Sequence, residues 1–165
     1  MDNFDVFNGD ADGLCGLHQL RLAEPRAATL ITGVKRDIAL LQRVPRVPGA
    51  WVTVLDISLD RNRDALAALL EVGAQVEYFD HHYAGAVPEH TGLRAHIDTS
   101  ADVCTSALVD RHIDGAQRVW AVVGAFGDNM DDLARRLAAS LSLPEPTIQA
   151  LRDLGQCLNY NAYGD

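Results

Sequence analysis

Three apolar runs in the chain each end in acidic or imidazole side chains. Phe4-Asp5-Val6-Phe7 runs into Asn8-Gly9-Asp10-Ala11-Asp12, Trp51-Val52-Thr53-Val54-Leu55 runs into Asp56, and Ala74 to Phe79 runs into Asp80-His81-His82. A buried strand that delivers side chains to the carboxyl edge of a sheet has this pattern, and that edge is where open α/β folds bind ligands. If the three strands lie parallel and side by side, Asp10, Asp12, Asp56, Asp80, His81 and His82 gather at one edge. Carboxylates that close repel one another unless a cation sits between them. The spacing therefore points to a metal centre, and the number of donors to a binuclear one.

Asp10 and Asp12 follow the first strand closely enough to grip two neighbouring cations, and Asp56 can bridge them. His81 adds a nitrogen donor. Gly127-Asp128-Asn129, at the end of an apolar helical run, is the best source of a further carboxylate. Mostly oxygen donors with one imidazole suit manganese or magnesium better than structural zinc, which prefers thiolates and imidazoles. Two such ions roughly 3.5–4 Å apart activate water for attack on phosphorus and stabilise the departing oxygen.

In this order, Asp10-Ala11-Asp12-Gly13, Asp56, Asp80-His81-His82 and Gly127-Asp128 resemble the DHH phosphoesterase superfamily, over about Phe4 to Asn129. That superfamily includes single-strand exonucleases, nano-RNA and cyclic-dinucleotide phosphodiesterases, and manganese pyrophosphatases. The resemblance implies roles. Asp10 and Asp56 would bind the first metal, and Asp12, Asp56, His81 and Asp128 the second. His82 would contact the phosphate, and Asp80 would orient the histidines from behind. The chain departs from the pattern at Val6, where many members have histidine, and at Asn8, where the exonuclease branch has aspartate. Asn8 is then either a weak ligand or a turn former. Members also carry a smaller second domain with a Gly-Gly-Gly-His-type motif, which this sequence does not supply. It reads as one domain over residues 1–165, or as a fragment of a longer chain.

The bulk properties agree. A chain of 165 residues, 48% hydrophobic, suits one globular domain that buries roughly 70% of its unfolded surface. The net charge of -9 repels long duplex nucleic acid and leaves room for a short oligonucleotide or a small phosphate ester. Cys15, Cys104 and Cys157 form no C-x-x-C pair, and the N-terminus carries no signal-peptide pattern, which together point to the cytoplasm. The longest apolar segment, Val119 to Phe126, is too short to span a bilayer.

The elements that must position these residues are read from periodicity. Strands are expected at Phe4–Phe7, Ala28–Thr32, Trp51–Asp56, Ala74–Phe79 and Leu93–Ile97. Asp10 to Gly13 is expected to be a turn, followed by a helix packed through Leu14, Leu17, Leu20 and Leu22. Helices are expected at Asp37–Val44, at Asp60–Val72 with Leu66, Leu69 and Leu70 inward, and from the capping-box-like Thr99-x-x-Asp102 to His112. The last third is helical: Trp120–Phe126, Asp131–Leu141 and Pro144–Leu158, and Asn159 to Asp165 ends without a tidy stop. The class is a three-layer, Rossmann-like α/β domain with a mainly parallel sheet of about five strands and a helical C-terminal third.

Plainer roles stand beside the chemical ones. Asp-x-Asp after a strand also opens haloacid dehalogenase-type phosphatases, with the first aspartate as nucleophile, but those need no His-His pair. Asp56 could cap the following turn. Lys35-Arg36 reads as a solvated charge pair, with a phosphate contact as the alternative. Ser100 serves a helix start, whose free N–H groups could also face a phosphate. His18, His90, His96 and His112 read as surface or packing residues. The sequence thus supports a manganese- or magnesium-dependent phosphoesterase acting on a phosphodiester or phosphoanhydride. The alternatives are a nucleotide- or partner-binding module with an incomplete first metal site, and the dehalogenase-like phosphatase.

Overall fold

The computed structural model describes residues 2–161, with the side chain of Asn161 excepted. The tail segment beyond Asn161 lies outside them. Five strands form one sheet: β1 (Asn3–Asn8), β2 (Thr29–Gly33), β3 (Trp51–Leu55), β4 (Gln75–Asp80) and β5 (Leu93–Ile97). Their order is β2-β1-β3-β4-β5, and every neighbouring pair is parallel. The order reverses between β1 and β3. In a doubly wound sheet this switch point opens a crevice at the carboxyl ends of the strands.

The central strands bury both faces, which explains their near-continuous apolar runs. Phe4, Val6, Val52, Val54, Val76 and Tyr78 face one layer, made by helix α2 (Leu59–Glu71) and a short 3-10 turn at Leu40–Arg43. Leu66, Leu69 and Leu70 of α2 are buried there as expected. Phe7, Leu55 and Phe79 face the other layer, made by α1 (Ala11–Ala23) and α3 (Thr105–His112). Beyond it lie α4 (Arg118–Gly127), α5 (Asp131–Ala139) and α6 (Glu145–Asn161), with α4 packed on α1, α5 and α6.

Several boundaries differ from the periodicity. Asp10-Ala11-Asp12-Gly13 is not a free turn: α1 starts at Ala11, with Asp10 as its N-cap accepting from the Gly13 N–H at 3.1 Å. Leu22 is exposed, because the inward position next to it is taken by Arg21. The Arg21 guanidinium bonds both oxygens of buried Asp5 at 2.5 and 2.7 Å, and Thr53 Oγ1 at 2.9 Å. Asp37–Val44 contains only the 3-10 turn. Thr99-x-x-Asp102 opens no helix: α3 starts at Thr105, and Ser100 closes a local turn with Asp98.

The helical third is held close by glycines. A Cβ placed on Gly155 of α6 would collide with the Val123 carbonyl oxygen and stand 2.9 Å from the Gly127 amide nitrogen of α4. Backbone atoms cannot yield as a flexible side chain can. Gly155→Ala is therefore expected to destabilise the fold by roughly 1–3 kcal/mol, the usual range for overpacking. It should appear as a lower urea midpoint with unchanged slope.

Candidate metal centre at the carboxyl edge of the sheet

Each element contributes to one cleft at the switch point. Asp10 and Asp12 come from the junction of β1 and α1, and Asp56 follows β3. Asp80 ends β4, and His81 and His82 follow it. Asp128 is the C-cap of α4, where the helix dipole disfavours a carboxylate. A side chain that opposes local stability in this way marks a position kept for another purpose.

His81 Nε2 is the hub. It lies 3.5 Å from Asp56 Oδ1, 3.7 Å from Asp128 Oδ2 and 3.8 Å from Asp12 Oδ2. Two donors on one ion at about 2.1 Å stand at most about 4.2 Å apart, so these separations fit a shared divalent cation. The structure thus brings Asp10, Asp12, Asp56, Asp80, His81, His82 and Asp128 to one edge. Asp12, His81 and Asp128 form one group able to hold an ion, and Asp56, His81 and His82 another.

Asp12 is fixed from two sides. It sits in the first turn of α1, and its oxygens accept from the Thr105 and Ser106 N–H groups at the start of α3, both at 2.8 Å. The Ser106 hydroxyl bonds it as well. Two helix N-termini therefore favour negative charge at one carboxylate. Thr105 Oγ1 also donates to Asp56 Oδ1 at 3.0 Å. Sequence reasoning missed Thr105 and Ser106, because no local pattern tells that the helix start ninety-odd residues downstream caps Asp12.

Asp56 is the most constrained of the acidic donors. Its backbone is left-handed, with φ of 61°, a conformation uncommon for a residue other than glycine. Burial, followed by the charges of Asp12 and Asp10, raises its pKa well above the usual carboxylate range. Asp128 is raised too, by burial and then by Asp12. Burial opposes ionisation of Asp10 as well, but hydrogen bonds with Asp56 and Lys35 prevail and hold it low.

His82 Nδ1 is 2.7 Å from Asp80 Oδ1, and the two imidazoles lie with centroids 4.4 Å apart. Asp80 is fully buried, and its Oδ2 has no hydrogen-bond partner among the described residues. The hydrogen bond to Asp80 raises the His82 pKa above its ordinary value, against the effect of burial.

The remaining candidates separate. Lys35 enters the site: its Nζ is 2.9 Å from Asp10 Oδ2 and 3.6 Å from Asp128 Oδ1. Arg36 is exposed and does not line the cleft, and Ser100 lies in the turn with Asp98. Asn8 uses its amide locally, accepting from the Asp10 N–H at 3.2 Å and donating to the Lys35 carbonyl at 3.3 Å. The cleft has a volume of about 370 Å³, and Ser58, Arg61 and Tyr83 line its outer part. A cleft of about 320 Å³ beside α2, lined by Gln42, Arg46 and Asp64, contains none of the acidic donors.

An open doubly wound sheet with acidic and imidazole donors at its switch point defines a class of cation-binding α/β domains. Solved structures narrow the fold. The chain is similar to the DHH domain of a member of a family of ribosomal proteins, with TM-score 0.71 and 11% identity over 98% of this chain and 47% of that one. It is similar to RecJ from Thermus thermophilus in complex with Mn2+, with TM-score 0.53 and 16% identity over 82% and 24% of the two chains. It is also similar to an exonuclease RecJ bound to manganese, with TM-score 0.53 and 19% identity over 98% and 48%. No family model and no curated protein sequence matches the chain. The fold is that of a DHH domain, and the chain spans about half or less of the solved proteins it matches. No helix among the described residues is long and apolar enough to cross a membrane.

The charges of the cleft have measurable consequences. Because the folded pKa of Asp56 is raised, its contribution is favourable below the unfolded value of 3.8 and is lost as pH rises through the folded pKa. Asp56→Asn, which tolerates the left-handed backbone, should raise the neutral-pH stability of the cation-free protein and flatten this pH dependence in urea titrations. For His82, the raised pKa gives stability that is present below 6.5 and lost above its folded value. NMR titration should find the His82 imidazole above its ordinary pKa, and Asp80→Asn should lower it.

Proposed function

We propose that the chain is a cation-dependent phosphoesterase domain of the DHH family, which hydrolyses a phosphodiester or phosphoanhydride in a short oligonucleotide, nucleotide or similar molecule in the cytoplasm. The observation that supports this most directly is the convergence of Asp12, Asp56 and Asp128 on His81 Nε2 within 3.8 Å. The donor set suits manganese or magnesium. Such ions would supply charge neutralisation and activation of water.

The chain's own residues do the rest. Asp12, Asp56, His81 and Asp128 hold the ion side of the cleft, and Asp10 with Asp56 provides the second position. Asp12 stays oriented because Thr105 and Ser106 clamp it. Asp80 orients His82, and its hydrogen bond favours an imidazolium able to donate to a phosphoryl oxygen. Tyr83, 74% exposed at the mouth, offers an aromatic face beside the scissile group.

A second reading rests on Lys35. Its ammonium bridges Asp10 and Asp128, as a first cation would, while the Asn8 amide is engaged elsewhere. The domain would then hold a single ion and bind its phosphorylated ligand with weakened or no turnover. Calorimetry with manganese separates the two: two ions per chain support the binuclear enzyme, one ion the binding module. For the enzyme, Asp12→Ala and Asp56→Ala are each expected to lower manganese-dependent hydrolysis of a chromogenic phosphodiester by at least about 100-fold, the upper end for outer-sphere partners alone. An unchanged rate in both variants removes the proposed mechanism.

A further inference from the structure

A second cluster of donors lies on the α1–α3 face of the sheet, four residues before His81 along the chain. Glu77 of β4 is nearly buried, and His96 of β5 places Nε2 at 3.2 Å from Glu77 Oε1. His112, at the last turn of α3, places its Nε2 at 4.0 Å from the same oxygen. Glu24, the C-cap of α1, brings Oε1 to 3.6 Å from His112 Nε2. Nothing in the proposed phosphoesterase chemistry uses these residues.

We propose that Glu77, His96 and His112, whose donor atoms lie within 4.8 Å of one another, form a second metal site for a zinc-class ion, separate from the acidic centre, with the fourth position left to solvent. Donors bound to zinc at about 2.0–2.1 Å in a tetrahedron stand about 3.3 Å apart, and the observed separations bracket that figure. Two imidazoles with a carboxylate favour zinc over manganese or magnesium, reversing the preference of the aspartate-rich cleft. Phe79 fixes both rings: it stacks on His96 at 4.4 Å with 7° between planes and meets His112 edge-on at 5.1 Å. The two imidazoles lie with centroids 4.9 Å apart. Arg94, in register with Glu77, directs its guanidinium over the Trp51 ring.

Such an ion would tie β4, β5 and the C-terminal turn of α3 together. The N-terminal turn of that same helix clamps Asp12, so the site would brace the helix on which the acidic centre depends.

Cobalt(II) is the probe, because tetrahedral coordination gives intense visible absorption where six-coordinate oxygen sites absorb weakly. The whole chain is first saturated with manganese and then titrated. One further ion per chain with tetrahedral bands, displaced by zinc and lost in both His96→Gln and His112→Gln, is expected. Absence of the bands in the unaltered protein, or bands that persist in both variants, overturns the proposal. Both imidazoles are partly exposed, so the variants should fold, and circular dichroism checks this. Zinc added over saturating manganese should also raise the Tm of the unaltered protein and leave that of His112→Gln unmoved. An equal rise in both overturns the site.

Discussion

Several carboxylates crowd at the carboxyl ends of β1 and β3, and their mutual repulsion governs how this end of the molecule is built. Asp12 and Asp56 are almost completely excluded from water, where charge–charge repulsion is least screened. The fold counters this with the positive ends of two helices on Asp12, the Thr105 hydroxyl on Asp56 and the Lys35 ammonium on Asp10. The remaining excess shows in the raised pKa of Asp56 and of Asp128, each from burial first and then from Asp12. A divalent cation answers the same excess more fully, because its two charges meet several carboxylates at once.

The left-handed backbone at Asp56 belongs to the same arrangement. Its N–H is held by the Phe79 carbonyl at 3.0 Å, so the turn out of β3 is pinned to β4 while the carboxylate turns towards His81. A glycine would adopt this turn at lower cost, but it would bring no carboxylate. Lys35 has a comparable double character. It sits where β2 ends, across the switch point from β3, and reaches Asp10, the N-cap of α1, and Asp128, at the C-terminal end of α4. An ammonium there neutralises part of the acidic charge that a cation would otherwise meet.

Much of the architecture was legible. The five strands stand where they were expected, and the central β1, β3 and β4 were clearest because strands buried on both faces leave a nearly unbroken apolar signature. Helix α2 was equally clear from Leu66, Leu69 and Leu70. Helix beginnings were not. Thr99-x-x-Asp102 has the spacing of a capping box, yet α3 starts at Thr105, because the Thr105 and Ser106 amides find a far stronger acceptor in Asp12. Leu22 fitted an inward stripe by spacing, yet Arg21 turns inward to Asp5 and Thr53 instead. His96 and His112 lacked any neighbour in the sequence that would mark them, and their meeting with Glu77 depends on strand register and on where α3 ends.

From its sequence alone the chain determined which side chains arrive at the carboxyl edge. Alternation of apolar and turn residues sets where each strand stops, and the next residue is then delivered to that edge whatever lies around it. Only the tertiary structure decided which of those side chains share a cation-sized space, which are already engaged, and which have their pKa raised by burial and neighbouring charge. Asn8 and Asp12 are both polar residues at the β1–α1 junction, yet one is consumed by its own turn and the other is clamped by a distant helix. Those outcomes depend on distances and burial between segments far apart in the chain, and Coulomb energies at such separations are not encoded in any local spacing.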